Sequence, residues 1–178
     1  APSDASLTRH SRNFAAVRPL HVLVAEDDPT ERRVLMRACA DFSWNVEGVD
    51  NGLAMVELVM QRLAEQKPID CIVLDWRMPQ QDGLAALTQL KQRLGTAPMP
   101  SVIMITAADS AALKNALTDI HPDAVLTKPV SPSALFNSVN HAVVAHSHDL
   151  SHVLSATLIE GSKVRWLNNT RILVVDDS

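Results

Sequence analysis

The stretch Ile72-Val73-Leu74-Asp75-Trp76-Arg77-Met78-Pro79-Gln80-Gln81-Asp82-Gly83 decides the fold. An apolar run ends in a carboxylate, and the chain then turns through Met78-Pro79 to Asp82-Gly83. A short, uninterrupted apolar run bounded by turn residues is the pattern of a strand buried on both faces. Such a strand carries Asp75 to the rim of a sheet, where loops meet solvent. Other segments end in a comparable way. Val22-Leu23-Val24-Ala25 runs into Glu26-Asp27-Asp28, Val102 to Ile105 runs into Thr106, and Ala124 to Leu126 runs toward Lys128-Pro129. Together these ends supply a nucleophile, a metal cradle, a hydroxyl donor and a cation, which is the equipment for holding a phosphoryl group.

The intervening segments are amphipathic. Asp28-Pro29 reads as an N-cap with proline at the first helical position, opening a helix to about Asp41 that buries Val34, Leu35, Ala38 and Phe42. Trp44 to Val49 reads as a strand, and Asn51-Gly52 opens a helix to about Glu65. Ile69 to Leu74 is the strand that delivers Asp75, and a helix follows from about Gly83 to Arg93. A further helix is expected over Ala108 to Ile120, and Ser131-Pro132 repeats the cap-plus-proline signature before a last helix to about His146. Strands alternating with helices predict an α/β fold, a doubly wound five-stranded parallel sheet with five flanking helices. In a parallel sheet all strands point one way, so Glu26, Asp27, Asp75, Thr106 and Lys128 should gather at the carboxyl edge, where open sheets bind ligands.

Bulk properties exclude several classes. The 178 residues suit one domain with extensions, and 47% apolar content is enough for a real core. A net charge of -4, with three Phe, three Trp and no Tyr, argues against a nucleic-acid surface. Cys39 and Cys71 sit inside apolar patterns and are expected as buried thiols. No apolar run approaches the roughly 18 residues of a membrane span, so a cytoplasmic chain is expected.

The tail adds a repeat. Arg171-Ile172-Leu173-Val174-Val175-Asp176-Asp177-Ser178 copies the pattern of His21 to Asp28. The expected organisation is therefore a linker over 1–19, a domain over 20–146, a helical extension or linker over 147–170, and the first strand of a second, similar domain over 171–178. Aligning Asp176-Asp177 with Glu26-Asp27 leaves Asp28 free to cap its helix.

Carboxylates brought close together repel, and a divalent cation removes the conflict. Mg²⁺ favours oxygen ligands and keeps several waters. The expected set is Asp27 and Asp75 as direct ligands, Glu26 through water, and the main-chain carbonyl of Arg77. Asp75 is the expected phosphoacceptor, with Lys128 as a point charge and the Thr106 hydroxyl and Ala107 amide as donors. A cis Lys128-Pro129 bond would aim the ammonium.

With these residues in hand, positions 20–146 resemble the receiver domain of two-component response regulators. The motifs that carry the likeness are Val22 to Asp28, Asp75 to Gly83, Ile105-Thr106-Ala107 and Leu126-Thr127-Lys128-Pro129. The resemblance implies a flavodoxin-like strand order 2-1-3-4-5. It also implies phosphotransfer onto Asp75 from a histidine kinase or phosphotransfer domain, slow self-catalysed dephosphorylation, and homodimer contacts through the helix over 108–120, the fifth strand and the last helix. The second receiver-like start is similar to the layout of hybrid histidine kinases with tandem receivers. Val125 departs from the pattern, since the family usually has an aromatic residue three positions before its lysine. Two other readings stay open. One is a degenerate receiver serving as an interaction module. The other is a haloacid-dehalogenase-like phosphohydrolase, which would need an aspartate where Arg77 stands.

Overall fold

The computed structural model describes residues 18–79, 81–107, 113, 117 and 120–158, of which 148–158 as backbone only. The expected linker over 1–19, apart from Arg18 and Pro19, lies outside the described residues, as do most of the helix over 108–120 and the segment 159–178 with its repeat. The elements are β1 (His21–Ala25), α1 (Pro29–Asp41), β2 (Asn45–Val49), α2 (Gly52–Ala64) and β3 (Cys71–Asp75). They continue with α3 (Gly83–Leu94), β4 (Ser101–Thr106), β5 (Ala124–Thr127) and α4 (Pro132–Leu158). The five strands form one parallel sheet in the order β2-β1-β3-β4-β5.

That order explains the burial. The inner strands β1, β3 and β4 are nearly all buried, whereas the edge strands β2 and β5 are only partly covered. Successive side chains of a strand point to opposite faces, so one sheet feeds two apolar layers. Leu23, Ile72, Leu74 and Met104 pack with Val56 and Met55 of α2 and Leu87 and Leu90 of α3. Val22, Val73, Ile103 and Ile105 pack with Leu35 and Cys39 of α1 and Leu135 and Val139 of α4. Both cysteines are buried and free, as expected. Burial pushes the Cys39 thiol up to about 12, so it is an inert packing group.

Caps follow the sequence closely. Asp28 accepts hydrogen bonds from the amides of Thr30 and Glu31, Asn51 from Ala54, and Asp82 from Ala85. The Ser131 hydroxyl accepts from the Ala134 amide at 3.2 Å. One expectation needs correction. Val34 is 64% exposed, because α1 turns Leu35 and Cys39, four residues apart, onto the sheet and leaves Val34 about 100° round the helix. The last helix runs past His146 to Leu158, into the stretch where a helical extension or linker was expected. Nothing between His146 and Leu158 is a glycine or proline, so the sequence holds no stop signal there. Among the described residues no helix is long and apolar enough to cross a membrane.

Candidate functional site

Four strand ends build the site. Ala25 pairs with Leu74, Asp75 with Ile105, and Thr106 with Thr127, so the residues that follow emerge side by side. The first loop is fixed by the Glu26 amide donating to the Val49 carbonyl at 3.1 Å. The third is fixed by the Trp76 amide donating to Ile105 at 2.9 Å, and the fifth by the Lys128 amide donating to Thr106 at 2.8 Å. Gly83 lies directly beneath, with its amide on the Trp76 carbonyl at 2.8 Å. A Cβ at Gly83 would meet the Asp75 carbonyl at 2.9 Å and Leu74 Cγ at 3.1 Å. Glycine is required here because helix and strand backbones approach so closely.

Carboxylate oxygens of Glu26, Asp27 and Asp75 lie within 4.8 Å of one another. Glu26 is 1% exposed and Asp75 6%, while Asp27 is half-buried. Burial, with repulsion from Asp75, pushes the Glu26 carboxyl up to about 7, although Lys128 pulls in the other direction. Lys128 Nζ donates to Asp75 Oδ2 at 2.9 Å and to Glu26 Oε2 at 3.1 Å. It also pairs with Glu31 at the first turn of α1. Burial alone would lower the Lys128 ammonium, but the pairs with Glu31, Asp75 and Glu26 more than reverse this and hold it protonated.

The remaining expected residues sit at the same edge with their own partners. Thr106 is buried at the end of β4, and its hydroxyl donates to the Ala107 carbonyl at 3.0 Å. The Arg77 amide donates to Asp75 Oδ1 at 3.2 Å, and its guanidinium stacks over the Trp76 ring at 5.0 Å. The Lys128-Pro129 peptide is cis. Val125, three positions before Lys128, is 41% exposed on the edge strand.

Two participants escaped the sequence reading. Glu31 shares the lysine, and Arg32 Nη1 donates to the main-chain carbonyls of Glu26 at 2.6 Å and Asp27 at 3.2 Å. Both lie in the first turn of α1, and the signal that could have found them is the Asp28-Pro29 cap, which places this turn beside the edge. Next to Lys128 a cleft of about 220 Å³ is lined by Thr30, Glu31, Val34, Lys128, Pro129 and Val130.

The donor set suits a hard divalent cation, since three oxygen ligands converge on a pocket that carries more negative charge than its one ammonium balances. These carboxylates are the residues that would hold such a cation.

Comparison with known proteins bears on the family and the fold. The family model described as "Response regulator receiver domain" matches residues 22–140. The response regulator MprA of Mycobacterium sp. (strain KMS) is 32% identical over 111 residues, covering 62% of this chain and 45% of that protein. The sensor histidine kinase GacS of Pseudomonas protegens is 31% identical over 122 residues, covering 66% of this chain but only 12% of that protein. The chain thus spans less than half the length of either relative. The solved receiver domain of the Francisella response regulator 1452 superimposes with a TM-score of 0.57 at 28% identity, covering 71% of this chain and 98% of that one. Strand order, site position and family match lead to one assignment: this chain belongs to the response regulator receiver domain family, through residues 22–140.

Proposed function

We propose that this chain is a phosphoacceptor receiver in a two-component phosphorelay. Asp75 takes a phosphoryl group from a phosphohistidine on a histidine kinase or phosphotransfer domain. One observation carries the reading most directly. The Asp75 carboxylate stands 2.9 Å from the Lys128 ammonium, with Glu26 and Asp27 oxygens within 4.8 Å. In the transfer an Asp75 oxygen forms a bond to phosphorus as the phosphorus–nitrogen bond breaks. The electron pair leaves with the imidazole nitrogen. Charge on the equatorial oxygens is met by Lys128 on one side and by the Thr106 hydroxyl once it turns from the Ala107 carbonyl. Glu26, Asp27, Asp75 and the Arg77 carbonyl are the proposed ligands of Mg²⁺. Water attack on phosphorus later releases inorganic phosphate and restores the carboxylate.

The match to part of a sensor kinase supports a kinase-linked relay, and the tail repeat supports a tandem-receiver parent. Copies of the chain would meet through the segment 108–120, β5 and α4. The readout rests on Thr106 rather than on an aromatic swing, since Val125 has no ring to move. Incubation with Mg²⁺ and acetyl phosphate or phosphoramidate tests the reading by intact mass. One phosphate should be added to the wild type and none to Asp75→Asn. No addition, or addition that persists in Asp75→Asn, rejects it.

A further inference from the structure

An ammonium has three N–H donors, and all three of Lys128 are committed, to Asp75, Glu26 and Glu31. An incoming phosphoryl oxygen therefore reaches this lysine only by displacing one of them. The three acceptors are not equivalent. The side chains of Glu26 and Asp75 are 2% and 7% exposed, whereas that of Glu31 is 50% exposed. A buried carboxylate stripped of its cation has nowhere to turn, while Glu31 can be taken up by water at small cost. Glu31 is also not among the carboxylates whose oxygens converge for a cation. Its tie to the site runs through Lys128.

We propose that Glu31 is a positioning residue that holds Lys128 in the resting state and competes with the arriving phosphoryl group for its ammonium, thereby setting how fast Asp75 is loaded. The inference rests on the phosphoacceptor reading above. Glu31 stands in the first turn of α1, on the wall of the cleft that also holds Val34 and Pro129, so a molecule seated in that cleft would touch the same latch.

A double-mutant cycle tests it, with the initial rate of phosphate incorporation from phosphoramidate in Mg²⁺ at fixed ionic strength as the readout. Glu31→Gln should load about two- to fivefold faster than wild type, the range expected for releasing a half-exposed ion pair. Glu31→Asp keeps the charge but shortens the reach, and should fall between the two. In a Lys128→Ala background, Glu31→Gln should change nothing. Loss of a carboxylate from a helix N-terminus slightly lowers stability, so faster loading beside a lower urea midpoint separates the latch from a merely structural role. An unchanged or slower Glu31→Gln overturns the inference, as does equal acceleration without the lysine, which would indicate general charge repulsion. A wild type that takes no phosphate rejects the phosphoacceptor reading and this inference together. A labelled wild type with an unaltered Glu31→Gln rejects the inference alone.

Discussion

Two clusters of charge in this domain are built on opposite terms. At the carboxyl edge Glu26, Asp75 and Glu31 surround one ammonium, Lys128, and an Asp27 oxygen lies within 4.8 Å of those of Glu26 and Asp75. Around the starts of β1 and β3 and the flank of β2, charges are matched. Arg18 grips Asp70 with two hydrogen bonds of 2.8 and 2.6 Å. Glu47 takes two from Arg62, at 2.7 and 2.5 Å, and one contact with His21 at 2.7 Å. The matched cluster is complete as it stands. The unmatched one keeps an excess of negative charge under low exposure, which a protein tolerates where a cation is to be received.

The largest expected effect comes from breaking the unmatched cluster as a metal site. Wild type should show a change in tryptophan emission on titration with millimolar Mg²⁺, because Trp76 directly follows Asp75. Asp27→Ala should abolish that change. Persistence of the full titration in the variant would mean that the cation sits elsewhere.

The second effect concerns stability in metal-free buffer. The folded Glu26 carboxyl lies near 7 against an ordinary value of 4.5, so the folded state holds more protons than the unfolded chain between those limits. Stability should therefore fall as pH rises from about 4.5 through 7. Glu26→Gln should flatten that fall and, above pH 7, exceed wild type by on the order of 2 kcal/mol in urea unfolding. A variant that loses stability at pH 8 would show that its bond to Lys128 outweighs its burial.

These residues differ in how far the sequence disclosed them. Asp75, Thr106 and Lys128 were legible because each ends an apolar strand, and a parallel sheet gathers such ends whatever its loops do. The Asp28 and Ser131 caps were legible for a different local reason, since each is followed by a proline that fits the first helical position. Val34 was misplaced because two adjacent apolar residues on a helix cannot both face a flat sheet, and periodicity alone does not say which turns away. Glu31 was hidden because a glutamate in a first helical turn already has a sufficient explanation in the helix dipole. The Glu47, Arg62 and His21 cluster joins three elements, and no one segment contains its pattern.

A third test asks how tightly the carboxyl edge is held from below. Gly83→Ala places a methyl 2.9 Å from the Asp75 carbonyl, with the Leu74 side chain closing the other side. The clash should outweigh the helix propensity gained and cost about 1 to 2 kcal/mol, read as a lower urea midpoint. Mg²⁺ affinity should drop with it, because Asp75 moves with its own carbonyl. Unchanged stability would mean that α3 can slide off the strand end without penalty.

The smallest effect belongs to the matched cluster, and its sign opposes that of Glu26. Hydrogen bonds from Arg62, aided by His21, hold the Glu47 carboxyl below the usual range. The unfolded chain therefore binds the proton first, and the stability that Glu47 contributes is present above its unfolded value and lost as pH falls through the folded one. Glu47→Gln should cost no more than about 1 kcal/mol at pH 7, since water screens a partly exposed pair. The gap from wild type should close as the pH falls below the ordinary carboxylate range, through the depressed Glu47 value. A gap that stayed constant into acid would assign the loss to packing of the side chain rather than to its charge. Taken with the pH dependence at Glu26, the two carboxylates tilt the stability curve in opposite directions. One fold thus carries both a pair that stabilises it and a buried carboxyl that weakens it as it ionises.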